Sequence, residues 1–269
     1  VLQHSSVRAI GLCNIPIGLR MDLAEILDVQ PAQVRLDSVG LNHLSFVRRV
    51  LVCGEDVLPR LLEQAAGGRA GRPANIPELD YPTEFIRALG MIPSDYLRYF
   101  YLQRETIAEQ QAAKQTRAQE VMDIEGELFA HYADPEQDDK PAALSKRGGA
   151  YYSHAALEVI EAILTDANRE LVVDVRNGSA VAELAEDVVV EVPCVVGKDG
   201  ARPLPQRPLE PVIRGLIQQV KSYEDLTVQA AMTKSRAVAL LALAAHPLVP
   251  SVAIAAEVVA ELADELKLR

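Results

Sequence analysis

Two blocks of apolar, β-branched residues constrain this chain most: VRLDSVGLNHLSFVRRVLVC over 34–53, and LVVDV followed by VVVEVPCVV over 171–196. Each reads as a pair of strands, the first ending in a Gly54-Glu-Asp turn and the second in a Lys-Asp-Gly turn at 198–200. Between and after them the period changes to that of helices, over 81–132, over Tyr151–Leu164, and from Pro211 to the end with interruptions at Pro247 and Pro250. Strands and helices in this irregular order point to an α+β fold rather than a regular βα alternation.

Smaller signals fill the rest. VRAIGLCNI (7–15) reads as a buried strand with Cys13 and Asn14 at its C-terminal end, and Pro16 opens a helix through about Leu27. Asp95 is expected to cap a helix running YLRYFYLQRETIAEQQAAKQ. A second helix, RAQEVMDIEGELFAHY, follows with Val121, Ile124, Leu128 and Phe129 as its apolar positions. AAGGRAGRPANIP (65–77) reads as a surface loop, and ADPEQDDKPA (133–142) as a polar excursion.

The 269 residues suffice for one large domain or two small ones, and a formal charge of −11 argues against nucleic acid as a partner. Three cysteines without disulfide spacing suit a reducing, cytoplasmic setting. No stretch reaches the ~18 consecutive apolar residues of a membrane span. The start VLQHSSVRAI has no initiator methionine or leader, and reads as a point inside a longer protein.

Chemistry concentrates in Gly11-Leu-Cys-Asn-Ile-Pro16 and Gly40-Leu-Asn-His43. A thiolate and an imidazole both ligate borderline divalent metals. Two protein ligands fall short of the usual structural four, and leave coordination positions open for a substrate. On spacing alone, a buried thiol at a strand end and a satisfied strand histidine are the favoured reading.

CNIP, GLNHLSF, PSDYLRYFY, TRAQEVM, RGGAYYS and EVPC occur in that order along essentially the whole chain. Together they resemble the NAD- and manganese-dependent glycosidases of glycoside hydrolase family 4, and most of all the 6-phospho-β-glucosidases. The resemblance implies a fold like the C-terminal domain of lactate and malate dehydrogenases, with mixed antiparallel strands and packed helices. Residues 1–15 then correspond to the last strand of a nucleotide-binding domain, and 16–269 to the substrate- and metal-binding domain. The chain holds no G-x-G-x-x-G between a strand and a helix, so the N-terminal Rossmann domain is expected to be absent and the fragment alone inactive.

The family is an exception to two-carboxylate glycoside hydrolysis. The resemblance implies hydride removal from sugar C3 by NAD+, loss of the C2 proton, departure of the C1 substituent, water addition and return of the hydride. Cys13 and His43 match the metal ligands for Mn2+ or a similar ion. Tyr96 matches the base, made credible by a nearby cation because a free phenol titrates near pH ~10. Asn14 stands where relatives acting on β-linked substrates carry Asn and α-acting ones Asp, and is expected to take part in catalysis and hold the substrate. Arg117 matches an arginine on the substrate's 6-phosphate, a role that suits a guanidinium fork. Asn42 is expected to help hold the substrate, and Arg147 is a further candidate for anion contact.

Tyr99 and Tyr101 are expected on other helix faces, and Cys53 and Cys194 as packing residues. Arg176-Asn-Gly-Ser-Ala-Val181 departs from the family's Arg-Asn-Asn-Gly-Ala-Ile and alters a tight turn. The implied substrate is a phosphorylated disaccharide or β-glucoside 6-phosphate, and the implied assembly a homodimer or tetramer away from membranes. The alternatives are an α-acting family 4 glycosidase, a dehydrogenase-like oxidoreductase, or an inert binding or oligomerisation fragment.

Overall fold

A hairpin with a bulge organises the first strand block. β1 (Val34–Leu41) pairs antiparallel with β2 (Leu44–Val52), in register from Val34↔Val52 to Leu41↔Leu44. The register shifts between Asp37 and Ser38, so Arg48 is the extra residue of the bulge. The bulge lets Arg48 and Arg49 both reach the Asp37 carboxylate, at 3.2 and 2.8 Å. Beyond it, Phe46, Val47 and Val50 are buried, and the chain reverses through Asn42 and His43 alone.

The computed structural model describes residues 7–64 and 81–267. The loop expected over 65–77, with its Gly67–Gly71 stretch, lies outside them. The chain divides into two compact units, Val1–Val175 with Val190–Leu204, and Arg176–Val189 with Pro205–Arg269.

In the first unit, α1 (Asn14–Ile26) packs Leu23 and Ala24 against Val34, Leu36, Val47 and Val50. β3 (Glu55–Asp56) extends the hairpin, and α2 (Leu58–Gln64) places Leu58 in the same core. After α3 (Thr83–Leu89), β4 (Ile92–Pro93) pairs with β2. Then come α4 (Arg98–Tyr101), α5 (Gln103–Ala112), α6 (Arg117–Ala133), α7 (Leu144–Arg147) and α8 (Tyr152–Thr165). β5 (Arg169–Arg176), β6 (Val189–Gly197) and β7 (Gly200–Pro203) complete the strands among the described residues. The sheet order is β3-β2-β1-β6-β5, with β4 on β2 and β7 on β6. The α+β expectation with antiparallel pairing holds.

Three local expectations change. Residues 7–13 make no strand, only an isolated antiparallel bridge at Gly11 to Asp174, and α1 begins at Asn14 rather than Pro16. A Cβ on Gly11 would lie 2.8 Å from that of Asp174, which leaves room only for glycine at this crossing. Asp95 is not a cap: it begins a 3-10 turn (Asp95–Leu97) whose cap position is Ser94, and the expected long helix breaks again at Leu102. The Ser94 amide donates to the Ser45 carbonyl at 2.8 Å, so pairing with β2 overrides helix propensity here. In α6, Leu128 is buried but Phe129 is exposed.

The second unit contains α9 (Pro211–Thr233), α10 (Arg236–Ala245) and α11 (Val252–Leu262). Besides the break at the prolines, the chain turns at Lys234 in the left-handed region, with Ser235 then capping α10. The unusual Arg176–Val181 stretch has its own logic. Asn177 is fully buried; its amide donates to the carbonyls of Val181, Leu184 and Ala185 at 3.0–3.1 Å, and its oxygen accepts from the Val181 amide at 2.8 Å. Asn177→Ala should lower stability by ~2–4 kcal/mol, read as a shifted urea midpoint with unchanged slope. An unshifted midpoint would show that this side chain does not hold the loop. No helix among the described residues is long and apolar enough to cross a membrane.

Candidate active site

Cys13 is the residue before α1, and its thiol accepts the Ile15 amide at 3.5 Å as the helix's N-cap. The paired bonds between Gly11 and Asp174, both 2.9 Å, tie this entry to β5. Asn14 is buried as the first residue of α1.

His43 is not a strand residue, as the sequence suggests, but the second residue of the two-residue hairpin turn, at φ 63°. That position favours Gly or Asn, because a side chain there crowds its own backbone. A strained turn residue with an imidazole is a pointer to function. Gly40 lets the turn close: a Cβ there would fall 2.1 Å from the Leu44 carbonyl oxygen.

The imidazole of His43 stacks on the Tyr96 ring, with centroids 4.0 Å apart and planes at 18°. This contact exists because β4 pins the PSDYL segment to β2 across Phe46↔Pro93 and Val47↔Ile92. Burial lowers the His43 pKa, which favours the neutral imidazole that can donate a lone pair.

Opposite Gly40, in register on β6, stands Glu191, which is 1% exposed. Burial first and then Asp174 push its carboxyl up to about 8, against the opposing pull of the Ser45 and Asn42 side chains. The Cys13 thiol is pushed up to about 12, by burial first and then by Glu191 and Asp174; the Ile15 amide and Asn42 act against this. Tyr152, at the start of α8, is raised by burial and then by Cys13, Tyr96, Asp174 and Glu191. Cys13, Asn42, His43, Tyr96, Tyr152, Asp174 and Glu191 therefore form one acid-rich cluster.

Arg117 behaves differently. Its guanidinium donates to the carbonyls of Lys146 and Arg147 at 2.8 and 3.3 Å, and to Glu120 at 3.0 Å. Arg147 pairs with Glu125. Arg117 thus grips the start of the Arg147-Gly-Gly-Ala-Tyr-Tyr152 segment, whose Gly149 lies under the Tyr152 ring. Its buried Nε has no hydrogen-bond partner.

The sequence reading did not assign Asp174, Glu191 or Tyr152 to the site. The signal for the first two was present: a single carboxylate inside each of the apolar runs LVVDV and VVVEV.

Among the described residues, no three His, Cys, Asp or Glu side chains converge as a metal cluster. The donor set nevertheless fits a divalent cation. A buried thiol and a neutral imidazole are soft-to-borderline donors, and the buried Glu191 carboxyl beside them, raised to about 8, marks a site where a cation would stabilise the ionised acids.

The comparisons with known proteins agree with one another. A family model described as "Family 4 glycosyl hydrolase C-terminal domain" matches residues 38–249. A Bacillus subtilis (strain 168) protein named "Probable 6-phospho-beta-glucosidase" is 38% identical over 99% of this chain and 62% of its own length. The 6-phospho-beta glucosidase from Thermotoga maritima, solved with NAD and glucose-6-phosphate, superposes with a TM-score of 0.86 at 36% identity. That match covers 96% of this chain and 60% of the other. The same enzyme solved with manganese, NAD+ and glucose-6-phosphate gives 0.84 at 34% identity, over 96% of this chain and 60% of the other. The chain thus spans about six tenths of the length of the relatives it matches. It belongs to glycosyl hydrolase family 4, whose C-terminal domain it carries.

Proposed function

We propose that the whole protein is a 6-phospho-β-glucosidase, and that these residues supply its metal and substrate site. The observation that carries this is the Asn42–His43 turn, whose Asn42 side chain acts on the Cys13 thiol while His43 stacks on Tyr96 from a third element. Cys13 and His43 would hold Mn2+ or a similar ion, and NAD binding is assigned to parts of the protein outside these residues, of which 1–15 would be the adjoining end. When bound, the cation would polarise sugar oxygens as a Lewis acid, and the nicotinamide would accept and return hydride at C3.

The chain's own side chains do the rest. Tyr96 takes the proton from C2 as the phenolate. Asn14, which can hydrogen-bond but not protonate, faces a β-linked leaving group and leaves the proton transfer to water or another residue. Asn42 holds the sugar beside Cys13. Arg117 supports the 6-phosphate, either with its free Nε or through the Arg147–Tyr152 segment it grips. Three free cysteines among the described residues suit a reducing cytoplasm.

The test is hydrolysis by the full-length protein of p-nitrophenyl-β-glucoside 6-phosphate. Turnover should require both NAD+ and Mn2+, and Arg117→Ala should raise KM for the phosphorylated substrate ~10-fold or more. Turnover without NAD+, or a preference for the α-linked or unphosphorylated substrate, would refute the assignment.

A further inference from the structure

We propose that Glu191 is an outer electrostatic partner of the divalent cation, a carboxylate held behind the Cys13–His43 pair without touching the ion itself. The inference rests on the assignment of Cys13 and His43 as ligands, and goes beyond it.

Glu191 lies third in β6, opposite Gly40, and so beside the turn that carries Asn42 and His43. It is 1% exposed, and neither carboxylate oxygen has a hydrogen bond of good geometry, although the Ser45 and Asn42 side chains lie near enough to lower its pKa. A buried carboxylate without a cation is costly, and a glutamine of the same shape would cost the fold less. Its surroundings make matters worse, because Asp174 and Cys13 are acids too. Asn42 and Ser45 offer only neutral dipoles. Two neutral dipoles offset only part of the cost of burying this acid, whereas a divalent cation seated on Cys13 would gain from a second nearby anion. Outer-sphere carboxylates act in this way on metal sites, orienting ligands and raising affinity. Among the described residues no group of three ligating side chains forms, which agrees with a place for the carboxylate outside the coordination shell.

The experiment uses the full-length protein stripped of metal, titrated with Mn2+ alone by calorimetry at one fixed pH, and melted without metal. Glu191→Gln should weaken Mn2+ binding ~10–100-fold while leaving the metal-free Tm unchanged or higher. Glu191→Asp, which keeps the charge, should recover most of the affinity. With Co2+ in place of Mn2+, the thiolate-to-metal absorption band should persist in both variants, since Cys13 still ligates. Unchanged Mn2+ affinity in Glu191→Gln would overturn the proposal. So would a lowered metal-free Tm alongside the lost affinity, which marks a structural role. A wild-type protein that binds no Mn2+ would remove the ligand assignment and this inference together. Wild-type binding that is lost in Cys13→Ser but intact in Glu191→Gln would remove this inference alone.

Discussion

Cys13→Ser in the full-length protein should lower Mn2+ affinity by ~100-fold or more and remove turnover with it, while leaving the melting temperature almost unchanged. The structure separates these effects cleanly. Cys13 caps α1 through its thiol, which accepts the Ile15 amide, and serine is a better N-cap than cysteine. The substitution therefore keeps the helix start and removes only the ionisable sulfur. A serine hydroxyl does not ionise at neutral pH, so one of two protein ligands loses its charge. Burial and two neighbouring acids push the Cys13 thiol up to about 12, which makes the free thiolate scarce. A cation must displace that proton, so affinity should rise with pH in the wild type and do so less steeply in the variant. Calorimetry and circular dichroism on the same samples decide it. Undiminished Mn2+ affinity in Cys13→Ser would exclude Cys13 as a ligand.

Tyr96→Phe should reduce kcat by ~10²–10⁴ with Mn2+ affinity close to wild type. The phenyl ring preserves the stack on His43 and loses only the hydroxyl that takes the C2 proton. Tyr96→Ala should lose the same activity and also weaken the metal, because His43 then lacks the ring that holds its imidazole. Exchange of the C2 proton with deuterated solvent, followed by NMR of the sugar, is the specific readout. It should vanish in Tyr96→Phe. Persistent exchange at the wild-type rate would assign the base to another residue, and Tyr152 would be the next to test, since its phenol senses both Cys13 and Tyr96.

How much of this was readable beforehand differs by scale. The two strand blocks, the Lys198-Asp199 turn, α8 and the helical C-terminal stretch were all legible, since hydrophobic period and turn residues are local signals. The helix beginning at Asp95 was not. Its sequence is a sound helix, but a bond from Ser94 to Ser45, in another part of the chain, breaks the start. His43 reads as a strand residue because its neighbours alternate as a strand does. Only the Asp37/Ser38 bulge and the missing Cβ of Gly40 make it a turn. Arg117 reads as a phosphate contact from its motif, yet its guanidinium also grips the carbonyls of Lys146 and Arg147, which no local pattern announces.

By itself, the sequence determined the elements and named the chemistry: a thiol, an imidazole, a phenol and two amides in motifs whose order identifies a family. Tertiary structure alone decided which groups meet and in what state. Strand order puts β6 beside β1 and lands Glu191 against Gly40, although these residues lie far apart in the chain. The physical reason is range. Propensity and periodicity act over a few residues, whereas desolvation and charge act through space, and only the folded sheet brings Cys13, Asp174 and Glu191 within reach of one another.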